Sequence, residues 1–294
     1  MIPTLLVILL IVAVAIIIVI IASNYENKKL VTEHYKITSP KVPEAFDGSR
    51  IVFLTDLHCN EFGNYNQELL EQIDACKPDV ILVGGDMVVS RVESSLDVPL
   101  QLMKQLTDKY PVYYSDGNHE LKLKWNEETY GLRYKEYIHQ LKEYGVVHMS
   151  NETFLLQQNG AYICLSALDL EKKFYRRFRI PEMTKQDILD AVGKEPPSAF
   201  RILLAHNPNY FKTYAEWGSN LVLCGHFHGG MVRIPGVGGV ISPQFQLFPK
   251  YDAGEYQIDQ SIMVLSRGLG NHSIKIRLWN KPEISCITLE KQRT

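Results

Sequence analysis

Apolar positions fall along this chain in three patterns, and each predicts a different kind of element. The first is continuous. Leu5 to Ala22 is an unbroken run of Leu, Ile, Val and Ala. At about 1.5 Å of helical rise per residue it nearly spans a hydrocarbon core of roughly 30 Å, and Ile2 and Pro3 extend it. It has no polar face, which argues against a buried core helix. The second pattern is the short apolar run, as in Ile51-Val52-Phe53-Leu54, Val80-Ile81-Leu82-Val83, Ile202-Leu203-Leu204 and Leu221-Val222-Leu223. Such runs suit strands buried on both faces. The third is helical spacing, as in Leu69, Leu70 and Ile73, or in Tyr134, Tyr137, Ile138 and Leu141 ahead of Gly145 as a stop. Strands are expected at 50–54, 79–83, 111–114, 146–149, 153–157, 161–166, 200–204, 220–223, 261–265 and 284–289. Helices are expected at 66–76, near 96–107, near 133–144, near 184–192 and near 209–217. Alternation in the first half predicts βαβ units, and the strand-rich second half predicts a second sheet. The fold class is α/β: two stacked mixed β-sheets flanked by helices, in one domain. Residues 1–23 read as a transmembrane anchor, 24–48 as a tether and 49–294 as the globular domain. Within the tether, Tyr35-Lys36-Ile37 has the look of an edge strand that Pro40 and Pro43 break. The Gly- and Pro-rich segment 229–243 is expected to form a long loop or hairpin.

Composition narrows the picture a little. The chain has 294 residues, 46% hydrophobic, with a formal charge of −2. That is enough for one large core and leaves no basic footprint for nucleic acid. Its five cysteines are odd in number and form no Cys-x-x-Cys pair, so a disulfide framework is not expected. The start, Met-Ile-Pro-Thr, lacks the basic residues of a secretory signal, and Ala22-Ser23-Asn24 is a poor cleavage site. A retained single-pass helix in the cell membrane is therefore expected. Lys28 and Lys29 follow the span, which leans the globular domain toward the cytoplasm.

The candidate chemistry sits in five polar clusters: Asp56-Leu57-His58, Gly85-Asp86, Gly117-Asn118-His119-Glu120, His206, and Gly225-His226-Phe227-His228. Those with a clear strand signal before them fall at strand ends, where open α/β folds build their sites. Asp, His and Asn without a thiolate pair suit hard or borderline divalent cations. Asp86, flanked by glycines, is placed to bridge two ions. Asp56 and His58, two residues apart, share one face of an extended strand end and reach one ion. A turn between His226 and His228 would let that loop serve both ions.

This ordered set resembles the calcineurin-like metallophosphoesterase family, whose pattern is Asp-x-His, Gly-Asp, Gly-Asn-His-Glu, a lone His, then Gly-His-x-His. The likeness covers essentially everything after the anchor. It implies a four-layer sandwich and a metallophosphoesterase domain over 49–294. It implies two divalent metal ions (Mn, Fe or Zn), one held by Asp56, His58, Asp86 and His228 and the other by Asp86, Asn118, His206 and His226. It implies that His119 faces the leaving oxygen, with an imidazole pKa of about 6.5 to work from. Glu120 is expected to orient a partner rather than to bind metal. His272, in the loop Gly268-Leu269-Gly270-Asn271-His272, is a candidate substrate contact.

The resemblance implies a hydrolase that drives a bridging hydroxide onto phosphorus. Its expected substrates are phosphodiesters or pyrophosphates that are membrane-associated or nucleotide-linked, such as a lipid-linked nucleotide pyrophosphate. The rivals are a phosphomonoesterase or protein phosphatase on the same centre, and a non-catalytic scaffold. Retention of Asp86, Asn118 and His119 argues against the scaffold. Exposed apolar residues near Phe245, Leu247, Phe248 and Tyr251 are candidates to face acyl chains.

Overall fold

In a computed structural model, residues 2–194, 198–230, 232–271 and 276–293 are described. In chain order the elements are α1 (Ile2–Lys28), β1 (Val31–Ser39), β2 (Arg50–Leu54), α2 (Gln67–Cys76), β3 (Val80–Val83), α3 (Asp97–Thr107), β4 (Val112–Ser115), α4 (Asn118–Trp125), α5 (Glu127–Tyr130), α6 (Arg133–Glu143), β5 (Val147–Met149), β6 (Glu152–Gln158), β7 (Ala161–Ala167), α7 (Lys185–Val192), β8 (Arg201–Leu204), α8 (Phe211–Trp217), β9 (Leu221–Cys224), β10 (Arg233–Ile234), β11 (Gly238–Gly239), β12 (Gly254–Ile258), β13 (Ser261–Leu265) and β14 (Glu283–Lys291).

The strands form two six-stranded sheets, ordered β1-β14-β2-β3-β4-β5 and β12-β13-β9-β8-β7-β6. In the first sheet only the β14–β2 pair is antiparallel. In the second, β7, β8, β9 and β13 run parallel and the outer pairs β6–β7 and β12–β13 run antiparallel. Alternation along each strand decides what each face meets. Phe53, Leu82, Leu165, Leu204, Leu223 and Ile287 pack in the layer between the sheets. Val52, Leu54 and Val83 face outward onto Leu69, Ile73, Leu102, Met103 and Leu141 of α2, α3 and α6. Leu203, Val222 and Met263 face Ile188, Phe211, Tyr214 and Trp217 of α7 and α8. The result is the expected order of helices, sheet, sheet and helices. Each such buried side chain contributes roughly 1.5–3 kcal/mol by leaving water.

One expectation needs correction. The stretch 24–48 is not a free tether. β1 pairs with β14 over nine residues, and Ile37, Val42 and Phe46 are buried between the sheets. The reason is that β14 has β2 on only one side. Its other edge is covered by β1, which Pro40 then follows. Tyr35-Lys36-Ile37 is thus part of an edge strand, but a longer one than expected.

Helix α1 stands on its own. Among the described residues it is the one helix long and apolar enough to cross a membrane, and Thr4 to Ile20 are all exposed. Its last turns are not exposed throughout. Ser23 is buried, its hydroxyl accepts from the Arg277 amide at 3.0 Å, and Glu26 accepts from the Asn280 amide at 2.7 Å. The segment 229–243 contains the β10–β11 hairpin, as expected.

Candidate metal centre

Parallel strands aim their C-terminal ends the same way, and the polar clusters follow those ends. Asp56 and His58 follow β2, Asp86 follows β3, Asn118 and His119 open α4 after β4, His206 follows β8, and His226 and His228 follow β9. The turns are sharp. Asp56, His58, Asp86, His226 and His228 all have positive φ, between 49° and 71°. Left-handed backbone in five non-glycine residues is unusual and is held only where surrounding contacts over-determine it. The extended strand end expected for Asp56 and His58 is therefore a left-handed turn. It still brings both side chains to one place. Two glycines make room: a Cβ on Gly117 would lie 2.3 Å from Asp86 Oδ1, and one on Gly225 would lie 2.3 Å from Asp56 Oδ2.

Three overlapping groups result, each with ligand atoms within 4.8 Å of one another: Asp56, His58 and His228; His58, Asp86 and His119; Asp86, His206 and His226. All are buried. Asp86 Oδ2 lies 3.9 Å from His58 Nε2 and 3.2 Å from His206 Nε2, so it faces both sides of the cluster. Its other oxygen accepts the His119 amide at 2.7 Å. Asp56 Oδ1 lies 3.4 Å from His228 Nε2.

Backbone carbonyls set the histidine tautomers. His206 Nδ1 meets Gly84 O at 2.8 Å, His228 Nδ1 meets Gly270 O at 3.0 Å, and His58 Nδ1 meets Val88 O at 3.3 Å. A carbonyl accepts only, so each Nδ1 carries a hydrogen and each Nε2 is the atom that would bind a cation, the usual arrangement around a metal. His119 is set the other way. Its Nδ1 accepts the Ser90 amide at 2.9 Å, so the proton sits on Nε2. His119 and Asn118 line the adjoining cavity.

The donor set fits two cations. His58 Nε2 and His228 Nε2 face each other at 3.2 Å, an arrangement of two lone pairs that needs positive charge beside it. Asn118 Oδ1 is buried and has no hydrogen-bond partner among the described residues. Burial pushes the Asp56 carboxyl up to about 7, against the pull of His206. Asp86 goes the other way: burial opposes ionisation, but His206 and His119 hold it well below the usual carboxylate range. The two carboxylates cannot both ionise easily without added charge.

Glu120 is an organiser, as expected. It is wholly buried, and its oxygens accept the amides of Asp86, Met87 and Gly117 and the Tyr114 hydroxyl. The single carboxylate thus ties α4 to the Asp86 turn. His228 has a second support: Asn280 Nδ2 donates to its carbonyl at 2.7 Å. Arg277, fully buried, donates to the carbonyls of Arg267, Gly268, Gly270 and Asn280.

A model of the family described as calcineurin-like phosphoesterase matches residues 49–230. The chain belongs to the calcineurin-like phosphoesterase family. It is therefore a binuclear metal-dependent phosphoesterase, with two divalent cations as cofactors. Among curated relatives, it is 26% identical over 268 residues to an uncharacterized metallophosphoesterase, YkuE, of Bacillus subtilis, covering 90% of this chain and 87% of that one. It is 26% identical to the phosphodiesterase YaeI of Escherichia coli, covering 82% of each. It is 25% identical to a zebrafish transmembrane protein with a metallophosphoesterase domain, over 87% of this chain and 56% of that one.

The seven residues expected at the metals and His119 are thus brought to one place. His272 lies outside the described residues. The sequence reading missed Arg91, Lys172, Arg176 and Arg177 in the wall of the phosphoesterase's cavity. That cavity is about 690 Å³ and is lined by Arg91, Lys122, Lys172, Arg176 and Arg177 beside Asn118, His119, His226 and His228. The run Lys172-Lys173-Phe174-Tyr175-Arg176-Arg177 was the available signal, and nothing in its local pattern ties it to a distant histidine cluster.

Proposed function

We propose that this phosphoesterase is anchored in the membrane by α1 and hydrolyses phosphodiester or pyrophosphate bonds in amphiphilic, membrane-associated or nucleotide-linked substrates. Lys28 and Lys29 favour the cytoplasmic face for its catalytic domain. Asp56, His58, Asp86 and His228 would hold one ion, and Asp86, Asn118, His206 and His226 the other. Such ions, when bound, acidify water and offset charge on phosphoryl oxygens.

The chain's own groups do the rest. Asp86 Oδ2 supplies the negative charge shared by both sides of the cluster. His119 directs Nε2–H at the reacting phosphate and steadies the leaving oxygen, while the Ser90 amide fixes the ring. Lys122, Arg176 and Arg177 meet the part of the substrate that is not cleaved.

One observation carries the substrate reading: the cavity joins the Asp/His cluster to several cations and to the apolar Trp125, Ile241 and Phe245. A simple monoester offers nothing to that wall, whereas a second phosphate or a lipid-linked group does. The likeness to a phosphodiesterase supports the same reading. A bilayer anchor would also concentrate the enzyme beside such molecules. The test is turnover of the full chain in micelles with Mn²⁺. We expect kcat/KM to rise from p-nitrophenyl phosphate to bis-p-nitrophenyl phosphate to a nucleotide diphosphate-linked lipid. A preference for the monoester would overturn the proposal.

A further inference from the structure

The segment 172–180 carries five cations in nine residues: Lys172, Lys173, Arg176, Arg177 and Arg179. Lys173 pairs with Glu171 at 2.7 Å, and the other four make no ion pair among the described residues. Phe178 projects from this run, 82% exposed, and stacks on the half-exposed Phe245 with ring centroids 5.0 Å apart. The Arg177 guanidinium lies 5.1 Å from the Phe245 ring centre. Leu247 and Phe248 continue this apolar rim at 69% and 57% exposure. Arg176, Arg177 and Phe245 also line the cavity beside the metal centre. Aromatic tips flanked by cations suit the boundary between headgroups and acyl chains.

Another residue of the cavity lining gives an independent bearing. Asn271 lines the cavity, and its side-chain amide meets that of Asn27 in α1 at 3.0 Å. Asn27 lies one turn beyond Ser23, where the exposed apolar run of α1 gives way to contact with the domain. Ile276 and Trp279 are exposed, each next in sequence to a residue, Arg277 or Asn280, whose amide bonds to the end of α1. One wall of the cavity is therefore held where the apolar helix ends.

We propose that the cavity opens along the bilayer surface, with the rim of Phe178, Phe245, Leu247 and Phe248 resting among anionic headgroups, so that substrate enters sideways from the lipid. This rests on reading α1 as a membrane anchor. A protein surface or a second copy of the chain is the other possible occupant of such a rim. Four unpaired cations beside it favour a field of lipid phosphates.

The experiment uses the full chain in lipid nanodiscs, with p-benzoylphenylalanine in place of Phe178 or, as a control, of Leu155. Leu155 is 50% exposed, in β6, and off the cavity rim. After illumination, mass spectrometry counts lipid adducts. We expect position 178 to give at least about fivefold more adduct than position 155 in discs containing phosphatidylglycerol, and Arg176→Glu with Arg177→Glu to reduce that yield by about twenty-five-fold or more, since each cation near an anionic surface is worth roughly a fivefold preference and two are lost. Equal adducts at the two positions, cross-links to protein instead of lipid, or a yield that ignores both phosphatidylglycerol and the arginines would each overturn the proposal. Hydrolysis of the soluble bis-p-nitrophenyl phosphate, measured on the unsubstituted chain, reports the phosphodiesterase reading separately, so either idea can fail alone.

Discussion

The proton on His119 sits on Nε2 because the Ser90 amide occupies Nδ1. That single contact separates His119 from the neighbouring imidazoles, whose Nδ1 atoms face carbonyls. His119→Ala should therefore keep its bound Mn²⁺ while kcat falls by roughly 10²–10⁴-fold, most for poor leaving groups. Elemental analysis alongside steady-state kinetics checks both halves. Asp56 carries a different prediction. Its carboxyl is pushed up to about 7 by burial, so near neutrality the metal-free protein holds a proton there. A cation must displace that proton, so metal binding should release it and weaken as pH falls below 7, by up to about tenfold per pH unit for each proton displaced. Calorimetric titration in buffers of different ionisation enthalpy reads the proton count, and an affinity flat from pH 8 to 5 would contradict the assignment. At this scale the sequence was most legible. Each expected metal residue and His119 could be named because the five ordered motifs resemble those of the calcineurin-like family. Their orientations could not, because they are set by carbonyls of Gly84, Val88 and Gly270, which any residue type would supply.

Elements with strong periodicity were legible and short mixed ones were not. The strand over 79–83 and the helix over 66–76 follow directly from apolar spacing. By contrast, α4 carries only Leu121 and Leu123 as buried apolar residues among lysines, and no periodic stripe betrays it. β12, Gly-Glu-Tyr-Gln-Ile, was missed too, although it alternates, because only Tyr256 and Ile258 carry the apolar positions. β1 was largely lost inside an expected tether, because its partner β14 lies some 250 residues away and no local pattern links them. The stretch Gly268-Leu269-Gly270 was visible as glycine-rich, but the ties of Asn271, Arg277 and Asn280 to α1 were not. Asn280 yields a prediction. Asn280→Ala removes the donor to His228 O, and a buried hydrogen bond lost in this way costs about 1–3 kcal/mol. Denaturant unfolding of the metal-free protein should show that loss, and the same variant should bind Mn²⁺ more weakly. Unchanged stability and affinity would mean that Asn280 does not position His228.

Across the whole molecule, two sheets stacked face to face put the parallel strand ends of both halves beside one another. The first sheet contributes Asp56, His58, Asp86 and Asn118, and the second contributes His206, His226 and His228. Neither half contains the full donor set. The four-layer order was predictable from the run lengths and the strand-rich second half. The meeting of the two donor groups rested on resemblance, since no spacing in one strand fixes its distance from a strand in the other sheet. Asp86 is the residue that joins them, with Oδ2 within 3.9 Å of His58 Nε2 and 3.2 Å of His206 Nε2. The most direct test is anomalous diffraction from crystals grown with Mn²⁺. Two peaks roughly 3.5–4 Å apart, on either side of Asp86, are predicted. A single peak, or metal bound away from Asp86, would contradict a binuclear centre built across the two sheets.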